Sequence, residues 1–534
     1  MENTIPVVDI FAGPGGLSEG FSSFRGVGNE SCFDIVLSIE KETNEVHTLI
    51  VRAIYRLLCQ KNKTDIYYKW FSSKNPSLSS LIEILNDDIE IIEQAKNRVL
   101  KLELGKKNSN SSKDKKENNI TLENYLRHIA DSNKSWILVG GPPCQAYSLA
   151  GRVKNKSLTG YKPETDPRFQ LYKQYITILT NYKPAIFLLE NVQGILSAKY
   201  KGESVIEEIL RSLEFPKNKK DVHYIIRPLI QSDSLFDKEY APCDYLIPSE
   251  KFGIPQRRHR LIIMGIRDDI AESEYFLNNQ SNYFLKYQNL ENSVSDMISD
   301  IPAIRSHISS SRRYNNNDIK DSLESWKDIL KSVQDEEWYK NLDPNLLNCI
   351  SKTLKDIANF GIKNKKRSKV VQAQVPDCLK WIKGDCTDIV QHESRSHMPS
   401  DLFRYLFAAC YAKVYNRSPK LCDFPEELLP NHANVNSNKF VDRFHVQLEN
   451  QPSSTITSHI SKDGHYFIHP DPVQCRSLTV REAARLQTFP DNYFFCGDRT
   501  SQFHQVGNAV PPYLAKQIAE IIYNILWDSQ IIHK

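Results

Sequence analysis

No apolar run in this 534-residue chain approaches the ~20 residues that a membrane-spanning helix needs. The first stretch, Met1 to Val8, has no basic region and no apolar leader, so a cytosolic protein with no membrane partner is expected. The eleven cysteines are odd in number and include no C-x-x-C pair. That argues against a disulfide framework and against a zinc finger. Cys378, Cys386, His392 and His397 are close in sequence, but their spacing fits no usual zinc pattern and no metal is expected. Neither sign of charge dominates: 69 basic and 65 acidic residues leave +4. This balance neither demands nor excludes a nucleic-acid partner, and any basic surface must be local. There is no internal repeat.

What is present reads as an ordinary globular protein, 40% hydrophobic and 25% charged. The length suffices for two or more domains and a large core. Trp136 to Val139 reads as a buried strand, stopped by Gly140, Gly141, Pro142 and Pro143. Cys144 follows on a stiff loop beyond the strand's carboxyl end, where open α/β sheets place their ligand crevice. By itself such a cysteine is weak evidence, since small buried residues in turns are common.

Near the start, Val7 to Phe11 is a short apolar run opening into Ala12, Gly13, Pro14, Gly15 and Gly16, with a helix expected over Leu17 to Phe24. Strand, glycine turn and helix open a nucleotide-binding α/β unit. A second strand, Ile35 to Ile39, ends at Glu40, 24 positions after Gly16, where an acidic side chain holds ribose hydroxyls. Thr43 to Leu104 reads as helical, with long amphipathic stretches such as Leu78 to Leu102. Gly105 to Asn119 holds no apolar residue and reads as a disordered surface loop. Further on, Leu171 to Thr180 reads as a helix. Pro184 to Leu189 reads as a strand, with Glu190 just past its end on the same rim as Cys144. Gln256, Arg257, Arg258, His259 and Arg260 precede another apolar run. Strand alternation sends Arg258 and Arg260 to one face, suiting an anionic or carbonyl-rich ligand.

From about 268 to 445 the composition changes: polar, without βαβ rhythm, and with basic patches at Arg312–Arg313 and Lys363–Lys369. Thr479 to Glu482 is a capping box starting a helix that ends before Pro490. After Gln505 to Pro512 comes a helix over Tyr513 to Trp527. Leu514, Ile518, Ile521, Ile522 and Ile525 share its inward face.

These segments resemble, in order, the motifs of bacterial-type DNA (cytosine-5)-methyltransferases. The matching stretches are 9–16, 140–145, 190–192, 256–260, 476–490 and 505–511. They span residues 5 to 525 but leave about 45–130 and 268–450 uncovered. The resemblance implies a Rossmann-like, S-adenosylmethionine-dependent α/β domain with a smaller target-recognition domain inserted before the C-terminal motifs. Residues 1–267 would form the first part of the catalytic domain, with a helical and disordered insertion at about 45–130. Residues 268–504 would hold the target-recognition domain and its supporting motif, and 505–534 would complete the catalytic domain.

The resemblance also implies roles. Cys144 would add to cytosine C6. Glu190, with a raised pKa, would share a proton with the ring at N3. Arg260, supported by Arg258, would bind O2. Phe11, Gly13, Gly15, Gly16 and Leu17 would cradle S-adenosylmethionine, Glu40 would hold its ribose, and Pro143, Asn508 and Ala509 would complete the pocket. The family's acidic contact to the adenine amine has no clear counterpart; Asn119 and Asp87–Asp88 are the candidates. The implied partners are double-stranded DNA, entered by base flipping, and a cognate restriction endonuclease, with the enzyme a monomer. A tRNA cytosine-5 methyltransferase and a silent DNA-binding relative are the alternatives. The long middle segment favours duplex DNA, whose major-groove readout needs extra surface.

Overall fold

The computed structural model describes residues 4–104, 113–132, 135–142, 167–200, 202–216, 222–231, 240–309, 320–361, 376–430 and 441–529. Pro143, Cys144 and the loop after them lie outside the described residues. So do the basic patches Arg312–Arg313 and Lys363–Lys369.

Among the described residues the central sheet has eight strands. Five run parallel: β1 (Ile5–Ile10), β2 (Phe33–Glu40), β3 (Val99–Lys101), β4 (Ile137–Gly140) and β5 (Ile186–Val192), in the order β3-β2-β1-β4-β5. A small hairpin, β6 (Lys199–Tyr200) and β7 (Glu203–Ser204), stands apart from the sheet. The far edge is antiparallel: β10 (His259–Arg267) lies against β5 and carries β8 (Tyr224–Arg227) and β9 (Leu246–Pro248).

Strand alternation splits the core into two layers. Val7, Val139, Leu188 and Met264 face one side, with α1 (Gly16–Ser23) and the long C-terminal helix packed on them. Val8, Leu138, Phe187 and Ile263 face the other, under α6 (Lys113–Ser132), α7 (Pro167–Tyr182) and α8 (Val205–Glu214). Strands buried on both faces are mostly apolar, which is why β1, β4 and β5 read as short hydrophobic runs, broken by Asp9 in β1 and by Glu190 and Asn191 near the end of β5.

The region about 45–130 differs from its reading. It supplies α2 (Thr43–Gln60), α3 (Thr64–Phe71), α4 (Leu78–Ile84) and α5 (Ile89–Asn97), then β3 and α6. The stretch Leu78 to Leu102, read as helical, ends in a strand after two helices. Val99 to Lys101 is too short to declare itself by periodicity, and pairing with β2 decides its state. Lys113 to Asn119, expected in a disordered loop, begins α6, whose Leu122, Leu126 and Ile129 anchor it on the sheet.

The boundary at 268 is corrected too. Ile270 of α9 (Asp268–Ala271), Phe276 of α10 (Glu274–Asn279), Tyr283 and Leu285 all pack in the catalytic core beside the C-terminal helix. Next comes α11 (Val294–Ile298). A separate core gathers Trp326, Leu330, Trp338, Ile350 and Leu406. They come from α12 (Leu323–Lys331), α13 (Glu337–Lys340), α14 (Pro344–Ala358) and α16 (Pro399–Tyr415). Two-residue strands β11 (His307–Ile308) and β12 (Ser396–His397) pair beside it. A bridging cluster joins α11, α15 (Asp377–Lys383), α17 (Val480–Leu486) and α18 (Arg499–Asn508) to the segment around Ile456. The C-terminal helix is α19 (Pro512–Asp528). No described helix is long and apolar enough to cross a membrane.

Candidate active site and cofactor pocket

The strand order reverses between β1 and β4, and such a switch point opens a crevice at the strands' carboxyl ends. The end of β1 is shaped by left-handed backbone at Phe11 (φ 57), Gly13 (φ 55) and Gly15 (φ 89). A bulky residue with positive φ is an uncommon strain, and here it sits at the mouth of the crevice. A Cβ on Gly13 would meet nothing within 4 Å, so the turn opens into free space there. The other glycines serve packing. A Cβ on Gly15 would come 2.8 Å from Leu49, and one on Gly16 would come 2.2 Å from the Val510 carbonyl oxygen. Leu17 is buried in the core, leaving only its backbone to a ligand at the start of α1.

Glu40 ends β2 facing this turn. Its Oε2 accepts from the Gly13 N–H at 2.9 Å, and its Oε1 from the Lys41 and Glu42 N–H groups at 2.7 and 3.2 Å. The carboxylate thus fixes the turn from beneath as well as flanking the crevice. The C-terminal segment closes the other side. Gly16 lies against Val510, and Gly20 of α1 against Pro512 and Ala515. Asn508 is exposed at the end of α18, and the buried Ala509 gives its carbonyl to the Gln487 amide.

The structure adds residues that the sequence reading passed over. Asp9 is fully buried in β1 and accepts from the Ser18 hydroxyl at 2.6 Å. Its Oδ1 has no hydrogen-bond partner among the described residues. Burial pushes its pKa up to about 7, against the hydrogen bond from Ser18. An aspartate inside an otherwise apolar strand was the available signal. Tyr493 donates to the Pro14 carbonyl, pinning the glycine turn. Glu19 of α1 pairs with Arg52 of α2 in the interior, and Arg56 joins at 3.2 Å. The third strand being Val99–Lys101, the acidic residue that follows it is Glu103. Asp87 and Asp88 instead precede α5, with Asp88 paired to Lys63 at 2.8 Å. The Asn119 side chain lies outside the described residues.

The base-side groups converge through register. Glu190 is inside β5 rather than past its end, because β10 extends the ladder: Ile262 faces Glu190 and Arg260 faces Val192. Positions two apart share a face, so Arg260 is diagonal to Glu190, and its Nε lies 3.0 Å from Oε1. Gly140 pairs with Leu189, and a Cβ on Gly141 would come 2.8 Å from Glu190 Oε2. The chain leaving β4 toward Pro143 and Cys144 therefore starts against the Glu190 carboxylate.

Arg258 takes a different course. It is 2% exposed and donates to the carbonyls of Ile456 at 2.7 Å and Gly507 at 3.2 Å. Burial and the nearby Arg260 guanidinium drive its pKa well below the usual arginine range. Gln256 accepts from the Ile456 N–H at 2.8 Å and donates to Gln487 at 2.6 Å. Thr455 donates to the Arg257 carbonyl at 2.6 Å, and His259 contacts Glu250 at 2.8 Å. Residues 256–258 thus bind the catalytic sheet to two distant segments. Of the cysteine–histidine group, His392 contacts Thr479 and the Pro302 carbonyl, and His397 contacts Tyr405 and Ser477. The capping box of α17 forms as expected, Glu482 accepting from Thr479 N–H at 2.8 Å; Arg476 grips the same carboxylate bidentately.

A doubly wound domain whose switch point joins a strained glycine turn to an acid–guanidinium pair defines a Rossmann-like enzyme. The family model for C-5 cytosine-specific DNA methylase matches residues 96–524, and the chain belongs to that family: it is a DNA (cytosine-5-)-methyltransferase. It is 30% identical over 525 residues to the type II methyltransferase M.Bpa9945I of Bacillus paralicheniformis, covering 97% of this chain and 99% of that one. M.DdeI of Desulfomicrobium norvegicum is 23% identical, over 98% of this chain and 91% of its own. The DNA (cytosine-5-)-methyltransferase M.ApeKI of Aeropyrum pernix is 24% identical, over 73% and 81%.

Proposed function

We propose that the protein methylates C5 of a flipped-out cytosine in a specific duplex sequence through a covalent bond from Cys144 to C6. The observation that carries this is the Glu190–Arg260 pair packed against Gly141, two residues before Pro143 and three before Cys144. A base placed there would meet an acid for N3 and the exocyclic amine and a guanidinium for O2, with the attack on C6 assigned to the Cys144 thiol. A cysteine of ordinary pKa near 8.5 is only about 3% thiolate at pH 7, so the site must raise the share of the attacking form. As sulfur adds to C6, Glu190 passes a proton to N3 and the ring electrons shift to C5. S-adenosylmethionine supplies the methyl group when bound. The crevice suits it: open space over Gly13, a carboxylate at Glu40, and the Asn508–Ala509 edge. Water then takes the C5 proton, the C5–C6 double bond returns as the Cys144 sulfur leaves as thiolate, and N3 gives its proton back to Glu190.

The relatives named as type II methyltransferases support a role in a restriction–modification pair, protecting host DNA from a cognate endonuclease. The segment between about 290 and 475, with its own core, is the part assigned to reading the target sequence. A duplex with 5-fluorocytosine at the target tests the mechanism, because fluorine cannot leave C5 as a cation. The adduct should survive denaturing electrophoresis, require S-adenosylmethionine, map to Cys144, and fail to form in Cys144→Ser. An adduct on any other residue, or full activity in Cys144→Ser, sinks the assignment.

A further inference from the structure

A polar cavity of about 370 Å³ lies away from the cofactor crevice, where the second core meets the N-terminal end of α18. Its walls include Arg395 beside β12, Lys462 on the loop after Ile456, Arg499 at the first turn of α18, and the hydroxyls of Ser309, Ser396 and Thr500. Two carboxylates, Asp401 and Asp463, also line it, but each has its own arginine: Arg404 at 2.9 Å and Arg443 at 3.6 Å. Two imidazoles line it as well. Tyr405 bridges them, 2.7 Å from His465 and 3.3 Å from His397, and burial holds both below the usual histidine range, so they add no charge at neutral pH.

Three cations remain in its walls. Among the described residues no carboxylate pairs with Arg395, Lys462 or Arg499. Arg395 is nine-tenths buried; its donors hold the carbonyls of Ile460, Ser461 and Lys462, and its Nε has no partner among the described residues. Arg499 gives one nitrogen to the Ser394 carbonyl. Burial and the neighbouring Arg499 guanidinium push the Arg395 pKa down to about 10, against the opposing field of Tyr405 and Asp463. Such a cluster, with hydroxyl donors around it, is built for a tetrahedral oxyanion.

The neighbourhood narrows the choice of anion. Lys462 belongs to the segment that Arg258 and Thr455 tie to the base-side strand. Arg499 and Asn508 are the two ends of α18, whose ten residues span about 15 Å. At one phosphate per 3.4 Å of axis on each strand, that is roughly four nucleotides. An anion here is therefore within the reach of a duplex whose target base sits in the catalytic crevice. We infer that this cavity is a phosphodiester site, in which Lys462 and Arg499 grip one backbone phosphate of the bound DNA while Arg395 holds the loop that presents Lys462. This rests on the proposed action on duplex DNA.

The test uses the full chain with Lys462→Ala, Arg499→Ala and the double variant, both positions being exposed so that folding is little affected. Duplex affinity is measured from 50 to 200 mM salt. Losing one phosphate contact lowers the slope of log affinity on log salt by about 0.9, so the fall across this range should be about 3.5-fold smaller in the double variant. Lys462→Arg should restore most of the slope, and affinity for S-adenosylhomocysteine should not change. A panel of duplexes, each with one neutral methylphosphonate, should reveal a single position that weakens wild type but not the double variant. An unchanged slope, or no such position, overturns the site. If the variants lose inorganic phosphate binding but keep the wild-type DNA slope, the cavity serves a free anion and the inference is equally overturned. If wild type itself neither binds nor methylates duplex DNA but methylates tRNA, the functional proposal fails instead.

Discussion

Arg258→Met is expected to damage the cofactor site and the base site together. The guanidinium is buried and reaches two carbonyls on segments far apart in the chain, Ile456 and Gly507. A hydrogen bond to a charged group contributes about 1.5–3 kcal/mol. Removing two of them is partly offset, because a buried cation beside Arg260 is itself costly and methionine fills similar space. A net loss of about 2 kcal/mol in stability follows, read as a lower denaturant midpoint. Gly507 immediately precedes Asn508 and Ala509, which edge the cofactor crevice. If half of that, about 1 kcal/mol, reaches that edge, the affinity for S-adenosylhomocysteine falls roughly fivefold, since about 1.4 kcal/mol is a factor of ten. Calorimetry gives this affinity, and single-turnover methyl transfer at saturating cofactor gives the base-side effect. A residue acting only on the cytosine would slow the single turnover and leave cofactor affinity alone. Cofactor affinity within twofold of wild type in a folded Arg258→Met protein would refute the tether and return Arg258 to the substrate.

Three further outcomes follow from the crevice. Glu40→Ala should weaken cofactor binding by about 1.5–3 kcal/mol and free the amides of Gly13, Lys41 and Glu42, so those amides should lose hydrogen-exchange protection; unchanged calorimetry removes Glu40 from the pocket. Asp9 has a folded pKa near 7, above its unfolded value, so the native chain binds the extra proton and its stability falls as pH rises from about 4 to 7. Asp9→Asn should gain on wild type across that window by up to about 1.4 kcal/mol per pH unit and level off above it, whereas parallel curves would disprove the linkage. Gly16→Ala should cost about 1–3 kcal/mol, because its methyl would meet the Val510 carbonyl, and hydrogen exchange should rise over 509–515; unaltered exchange there would show that the contact yields without cost.

The sequence alone determined the elements whose signals are local. Val7 to Phe11 and Trp136 to Val139 read as buried strands because their short apolar runs end in glycine–proline turns. Thr479 with Glu482 announced a helix start because each side chain accepts from the other residue's free backbone N–H. Order along the chain was enough to place six motifs in one family. What needed tertiary structure were the relations between distant segments. Val99 to Lys101 is a strand only because β2 offers it an edge. Glu190 faces Arg260 because antiparallel pairing with β10 puts Ile262 opposite it, a register no residue type encodes. Arg258 resembles a ligand-binding arginine in sequence, yet the carbonyls of Ile456 and Gly507 claim it, since a buried guanidinium takes whatever acceptors the fold brings within reach. Gly15 and Gly16 look alike beside Gly13, but only packing shows which of the three faces open space. Asp9 acquires its raised pKa from the layers that close over both faces of β1, and those layers come from parts of the chain that composition cannot assign to it.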